Sequence, residues 1–410
     1  MKFNEETSIP LEDFFTAYYQ CRLRKRMTIN ALEFEVNYEE NLVKLWRDVN
    51  SRKYEIGKSI CFIVTRPKIR EIFAADFRDR VVHHVIMMRL EPLFEKAFIN
   101  DNYNCRKGKG TLYGVNSLHD QIRECSDNYT KNCYIGKFDM KGFFMSIHKG
   151  ILWKMLKEFI EDKYKGKDID ILLWLSKKII MHCPQYNCVR KSPITMWEKL
   201  PKNKSLFTCG DEFGLPIGNL TSQCFANFYL NIFDIINRDK FIYYGRYVDD
   251  YFILSRNKNE IKRWVDFMRK FLKDNLKIKL HPHKIYLQRY ENGVKFIGYV
   301  IKGNKIYISN STVSNMYSLI YRNNKEIGRD GAEHFVQSLN SYWGFMERCR
   351  SYNIRVKLFK MIHYKWFKYI LYNIVYRKFE VRKKYVERYV CLRHSKDVNT
   401  FCEYYYSFKN

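Results

Sequence analysis

The chain begins in helical spacing. In "ALEFEVNYEENLVKLWRDVN" the apolar positions Leu32, Phe34, Leu42, Val43, Leu45 and Trp46 recur at near-helical intervals, so residues 1 to about 55 predict helix. From Ser59 the period shortens. "SICFIVTRPKIREIF" reads as two short β-rich runs about the turn-prone Arg66-Pro67 pair. "ADFRDRVVHHVIMMRLEPLF" returns to helix, with Val81, Val82, Val85, Ile86, Met88 and Leu90 on one face and Arg78 and Arg80 at its entrance. A strand over 134–138 ends at Asp139 and passes through a turn into a largely helical, charged stretch that runs to about Met181. "GLPIGNLTSQCFANFYLNIFDIIN" places Pro216 and Gly218 ahead of a helix over 222–237, with Thr221 or Ser222 as its expected cap. "FIYYGRYVDDYFILS" predicts strand, turn and strand, and "NEIKRWVDFMRKFLKDNL" an amphipathic helix. "KIKLHPHKIYLQRYENGVKFIGYVIKGNKIYI" supplies further strands around Gly293 and Gly303. After Ser309 the pattern turns helical to the end, and the aromatics of "IRVKLFKMIHYKWFKYILYNIVYRKF" read as a core-facing stripe.

Composition narrows what such a mixed chain can meet. At 410 residues and 46% hydrophobic content it has room for two or three lobes with substantial cores. A formal net charge of +29 together with 17% aromatic residues suits a polyanion that also offers flat faces for stacking, which describes nucleic acid. No run of eighteen apolar residues occurs, so a spanning helix is not expected. The opening "MKFNEETSIPLEDFF" lacks an apolar signal core, and the twelve cysteines form no CxxC pair, which together favour a reduced, cytoplasmic protein. His182, Cys183, Cys188 and Cys209 match no common zinc spacing, so zinc is not expected there.

The chemistry concentrates on carboxylates. Asp249 and Asp250 stand side by side in an apolar, aromatic setting, where like charges are costly unless a cation lies between them. Side chains alternate along a strand, so the pair shares one direction only if the turn re-aims one of them. Asp139 ends an independent strand. Three carboxylates from neighbouring strand ends can hold two Mg²⁺ ions for in-line phosphoryl displacement. In "NYNCRKGKGTLYGV", Arg106, Lys107 and Lys109 alternate with Gly108 and Gly110, a pattern that fits either a phosphate-binding loop or a solvated basic turn.

These stretches occur in a telling order. "FDMKGFF", "GLPIGNLTSQ", "YVDD", "LHPHKIYL" and "VKFIGYVI", preceded by "REIFAADFRDRVVHH" and "NYNCRKGKGT", resemble the polymerase motifs of reverse transcriptases over about residues 60 to 305. Within that superfamily, which includes group II intron and retron enzymes, "IGNLTSQ" and "WEKLPKNKSLF" most resemble the reverse transcriptases of diversity-generating retroelements. The resemblance implies an α+β right-hand polymerase with fingers, an antiparallel-sheet palm and a helical thumb. The expected divisions are an N-terminal helical extension over 1–58, fingers over 59–132, a palm over 133–305 with an inserted fingers segment near 150–215, and a basic thumb over 306–410.

The resemblance also implies roles. Asp139, Asp249 and Asp250 become the catalytic ligands of two Mg²⁺ ions, with Asp250 the most replaceable. Phe144 matches the ring that excludes a 2′-hydroxyl, or else simply packs, while Phe143 belongs to the core. Arg70 and Arg78 match finger positions that hold the incoming triphosphate or the template backbone. Arg106, Lys107 and Lys109 track template phosphates, and Lys284 sits near the nucleotide or remains a solvated lysine. Gly218 and Gln223 flank the nucleotide, and Gly298 belongs to the primer-grip hairpin. Ile217 stands where relatives place a glutamine, and an aliphatic group there predicts error-prone copying, with errors at template adenines implied by the family. The expected partners are template RNA, cDNA, dNTPs and a small basic accessory variability protein, in an oligomeric assembly without a membrane. Two alternatives stand beside this expectation: a retron, antiviral or group II intron type of reverse transcriptase, and a non-catalytic RNA-binding scaffold.

Overall fold

The computed structural model describes residues 5–23, 28–66 and 68–382. Pro67 and the last stretch of the expected thumb, 383–410, lie outside the described residues. The chain divides into two compact units between Gln288 and Arg289.

The first unit is built on one large core. Helices Leu11–Arg22 and Ile29–Glu35 pack on the long helix Phe77–Ala97, and Tyr38–Asn50 packs on those two shorter helices. Ile9, Phe14, Leu42, Leu45, Val82, Val85 and Leu90 are all fully buried in that core, so the N-terminal helices share it rather than forming a separate body. Asp76 starts the long helix by accepting from the Arg78 amide. Its buried residues include Val81, Val82, Val85, Ile86 and Leu90, as the spacing predicts, whereas Met87 rather than Met88 completes the buried face.

Two sheets follow. Strands β1 (Ser59–Val64) and β2 (Arg70–Ala74) form an antiparallel hairpin, and β1 takes a third, parallel partner at β4 (Cys188–Arg190). The four-stranded sheet that carries the aspartates runs in the order β5 (Tyr243–Tyr247), β6 (Asp250–Ser255), β3 (Tyr134–Asp139), β7 (Tyr286–Arg289). Its β5–β6 and β6–β3 pairings are antiparallel. Phe138 and Tyr251, cross-strand partners, stack at 5.1 Å on the inner face. The amphipathic helix Lys258–Leu276 covers β6, and Gly136 lies so close beneath it that a Cβ would meet Ile261 Cγ2 at 2.8 Å.

The helix after "GLPIGN" is capped two residues before the earlier of its expected caps. Asn219 is the N-cap of Leu220–Tyr229, while Thr221 is buried and its hydroxyl lies 2.6 Å from His83 Nδ1. A break at Leu230 separates this helix from Asn231–Lys240.

In the second unit a meander of β8 (Val294–Phe296), β9 (Tyr299–Lys302) and β10 (Lys305–Ile308) precedes helices Asn310–Asn323, Arg329–Met346 and Tyr352–Lys360. Tyr299 stacks on Phe345 at 4.3 Å and donates to its carbonyl at 2.8 Å. Those contacts tie the meander to the helices of the same unit. Among the described residues helix does not continue as the spacing predicts. After Tyr364–Lys368, a hairpin of β11 (Ile370–Asn373) and β12 (Lys378–Val381) closes over the helices. The aromatic stripe is core only in part: Phe359, Trp366 and Phe379 are buried, with Phe379 edge-to-face on Trp343 at 5.3 Å, whereas Tyr364 and Tyr376 are exposed. Aromatic and β-branched residues serve a half-buried strand as readily as a helix face, so periodicity alone could not separate the two.

Candidate active site

Strand pairing brings the three aspartates together. Asp139 at the end of β3 lies directly opposite Asp250 at the start of β6, and Tyr247 pairs with Asp250 on the other side. Directly opposed residues share a sheet face. Val248 and Asp249 are thus the two central residues of a hairpin turn. Val248 has φ +58°, the left-handed conformation that such a turn usually assigns to glycine at this position. A β-branched residue there costs about 1–3 kcal/mol, and this turn places Asp249 beside Asp250.

The cluster holds more negative charge than its surroundings favour. Burial, then Asp250, then Asp139 push the Asp249 carboxyl up to about 6. Lysines supply the compensating charge. Lys284 Nζ lies 2.8 Å from both oxygens of Asp139, and Lys137 Nζ lies 3.2 Å from Asp250 Oδ1. Lys284 reaches Asp139 because the chain before it pairs with the strand end: the His281 amide donates to the Asp139 carbonyl at 2.8 Å, and the Lys141 amide to Lys279 at 2.9 Å. With two carboxylates turned to lysines, no three acidic, imidazole or thiol groups converge on one point among the described residues. The donor set itself is hard anionic oxygen, which suits Mg²⁺, and the excess charge at Asp249 is what a divalent cation would relieve.

Phe144 and Ile217 border the same small core of Cys61, Phe73, Met145 and Leu206, both half-buried. Phe143, by contrast, is buried. The Ile217 carbonyl accepts from the Phe73 amide at 2.8 Å, which fixes the "GLPIGN" loop to β2. Gly218 has φ +129°, and a Cβ there would meet the Phe73 carbonyl oxygen at 2.8 Å, so the close approach requires glycine. Gln223 is exposed, and its Oε1 accepts from Cys105 Sγ at 3.5 Å.

The expected cations divide by how their donors are used. Arg70 is exposed on β2 and has no side-chain partner among the described residues. Arg78 instead donates to Asp48 and to the Glu55 carbonyl, both at 3.0 Å, and lies over Tyr54, which ties it to the N-terminal helices. Arg106 is about 5% exposed and is engaged by Glu95 at 2.9 Å and by the Ile99 and Asn102 carbonyls. These internal bonds tie the basic loop to the end of the long helix. Lys107 is 84% exposed, its ammonium 3.6 Å from Glu91, while Lys109 is half-buried and donates to the Asn100 carbonyl. Gly298 follows Ile297 in the two-residue turn between β8 and β9, with φ +84° and +43° respectively. A Cβ on Gly298 would meet Phe345 Cζ at 2.9 Å, a packing reason for glycine within its own unit.

Sequence reasoning missed Lys137 and the polar residues behind the turn: Asn104, whose Oδ1 accepts from the Val248 amide at 2.8 Å, and Arg246, whose Nη1 donates to the Val248 carbonyl at 2.9 Å. One signal was available. Asn227, Asn231 and Asp234 interrupt an otherwise apolar run. At His182 and Cys183, where zinc was weighed, the buried Lys149 ammonium donates to the His182 carbonyl at 3.0 Å and to Cys183 Sγ at 3.1 Å. No helix among the described residues is long and apolar enough to cross a membrane.

The chain is similar to several known proteins. Over 303 residues the chain is 20% identical to protein YkfC of Escherichia coli K12, covering 66% of this chain and 71% of that one. It is 26% identical to mitochondrial nuclear intron maturase 1 of Arabidopsis thaliana over 126 residues, which is 29% of this chain but only 17% of the relative. Among solved structures, apo telomerase from Candida tropicalis aligns with a TM-score of 0.46 at 11% identity, over 76% of this chain and 56% of that one. The family profile described as reverse transcriptase (RNA-dependent DNA polymerase) matches residues 59–301, more than half of the chain and including all three aspartates. The chain therefore belongs to the reverse transcriptase family, the RNA-dependent DNA polymerases, and the matched region includes the antiparallel sheet with its paired carboxylates.

Proposed function

We propose that the protein copies an RNA template into DNA with low fidelity, as the reverse transcriptase of a diversity-generating retroelement. The observation that carries the catalytic part is the cross-strand pairing of Asp139 with Asp250 beside the crowded Asp249. Asp139, Asp249 and Asp250 would hold two Mg²⁺ ions, which when bound activate the attacking 3′-hydroxyl and stabilise the leaving oxygen. Lys284 and Lys137 hold the Asp139 and Asp250 carboxylates in place until then. Lys284, released from Asp139, is positioned to bind the triphosphate or to donate a proton to departing pyrophosphate. Arg70 is the finger cation free to meet the triphosphate, and Lys107 is the most exposed cation of the basic loop that faces template phosphates.

The low-fidelity part is supported by the wall that Phe144 and Ile217 share. The Phe144 ring would exclude a 2′-hydroxyl by bulk, while the aliphatic Ile217 offers no side-chain donor or acceptor that a mismatched pair would leave unsatisfied. Adenine-directed errors, a template-repeat RNA and a small basic accessory protein follow from the family resemblance and belong to this proposal. A retron, antiviral or intron-type enzyme would share the same catalytic carboxylates.

Primer extension on a defined RNA with Mg²⁺ and dNTPs, followed by sequencing of the product, tests both parts. The expected result is extension by the parent, none by Asp249→Ala, and substitutions concentrated at template adenines. Equal incorporation by the two proteins refutes the polymerase reading, and an even, low error spectrum refutes the diversity-generating one. Ile217→Gln is expected to lower misincorporation severalfold, and an unchanged spectrum removes Ile217 from the account.

A further inference from the structure

The catalytic turn is backed by a buried polar cluster that nothing in the catalytic reading uses. Arg246 and Asp234 are both fully buried and form an ion pair, with Nε at 2.6 Å and Nη2 at 2.5 Å from the carboxylate. Asp234 also accepts from the Tyr244 hydroxyl at 2.6 Å and from Asn102 Nδ2 at 3.3 Å. Asn227 Oδ1 accepts from Arg246 Nη2 and from Asn102, both at 2.9 Å, and Asn227 Nδ2 donates to the Asn104 carbonyl at 3.1 Å. Apart from Asn102 Oδ1, which has no partner among the described residues, these groups are satisfied, and such a cluster favours one geometry because each misplaced group would be buried without a partner.

The cluster has two outlets, and both end on the same residue. Arg246 Nη1 donates to the Val248 carbonyl, and Asn104 Oδ1 accepts from the Val248 amide. Val248 is the residue held at φ +58°, immediately before Asp249. A valine left alone would relax out of that region and rotate the following peptide, carrying the Asp249 carboxylate with it. Gripping the residue from both sides of its backbone prevents this.

We propose that Arg246 and Asn104 are positioning residues that clamp Val248 in its left-handed conformation, and thereby set the spacing of Asp249 from Asp250 and Asp139. The proposal rests on the reading of those three aspartates as the divalent-cation ligands. It also gives the segment before the basic loop a second task, since Asn104 stands two residues ahead of Arg106.

The test uses the full chain and a readout that does not require turnover: Mn²⁺ affinity by electron paramagnetic resonance, counting only binding that disappears in Asp249→Ala. Asn104→Ala is expected to weaken that binding about tenfold and to lower kcat by a similar factor with the KM for dNTP little changed, the usual scale for a residue that orients a ligand. Arg246→Lys, which keeps a cation on Asp234 but loses the bond to Val248, is expected to do the same. The diagnostic variant is Val248→Gly, because glycine adopts positive φ without restraint. Placed in the Asn104→Ala background it is expected to restore most of the lost Mn²⁺ affinity, a rescue that a merely structural role for Asn104 would not produce. Parent-like Mn²⁺ affinity in Asn104→Ala, or a double variant whose loss equals the product of the single losses, overturns the clamp. If the parent extends no primer yet the Mn²⁺ pattern holds, the polymerase reading falls and the clamp stands; if the parent extends and Asn104→Ala matches it in both assays, the reverse is true.

Discussion

Two acidic sites in the first unit solve the same electrostatic problem in opposite ways. Glu71 on β2 is about 1% exposed, and its oxygens are taken by neutral donors: Trp197 Nε1 at 2.6 Å, Ser205 Oγ at 2.7 Å and the Leu206 amide at 2.7 Å. Asp139 and Asp250 are half-buried and bound by the ammonium groups of Lys284 and Lys137. The first arrangement is saturated by groups fixed in the fold, and it anchors the 195–206 segment to β2. The second depends on two flexible side chains that can leave. A carboxylate whose lone pairs are filled by the fold stabilises it, whereas one held by departing lysines can exchange them for another cation.

The sharpest break of this contrast is removal of an exchangeable carboxylate. Asp139→Ala is expected to lower the primer-extension rate by about a thousandfold or more, on the scale of losing a principal electrostatic contact to the reacting groups, while thermal unfolding stays close to that of the parent. Glu71→Ala should do the converse, destabilising by about 3 kcal/mol through its orphaned donors, read as a lower urea midpoint. A Glu71→Ala protein of parental stability but lost activity would erase the distinction.

Smaller effects sharpen the boundary between the two. Phe144→Ala is expected to reduce discrimination between dNTP and rNTP by about 10- to 100-fold in kcat/KM, the range available to a steric contact, and unchanged discrimination would leave Phe144 a packing residue. The least effect separates two neighbours in the basic loop. Lys107→Ala should reduce the salt slope of RNA binding by about one without altering stability, whereas Arg106→Ala should cost about 1–3 kcal/mol of stability. A stable Arg106→Ala protein with a reduced salt slope would return Arg106 to the template-facing set.

What the sequence disclosed follows from how local each signal was. The strands bearing Asp139 and Asp250 and the turn between β5 and β6 were legible because period, turn residues and charge coincide within fifteen residues. The helices Phe77–Ala97 and Lys258–Leu276 were legible from their apolar faces. Lys137, Asn104 and the Arg246–Asp234 pair were not, since their partners arrive from segments 12 to 144 residues away, and a polar residue in a strand looks the same whether it faces water or a buried ion pair. The β11–β12 hairpin was misread as helix because aromatic spacing fits both, and the internal bonds of Arg106 were not legible because charge in a glycine-rich loop says nothing about which donors are already engaged.

The segment joining the long helix to the basic loop has a further consequence for solubility. β5 ends the four-stranded sheet, and its Arg246 exchanges backbone bonds with this segment: its amide donates to Asp101 at 2.8 Å and its carbonyl accepts from Tyr103 at 2.9 Å. Gly245 makes the approach possible, because a Cβ there would strike the Tyr103 hydroxyl at 2.4 Å. Loop backbone thus occupies hydrogen-bonding positions that an edge strand would otherwise offer to another chain. A bulky residue at 245 would pry that cover away and invite edge-to-edge association, so aggregation, rather than slow catalysis, is its foreseeable cost.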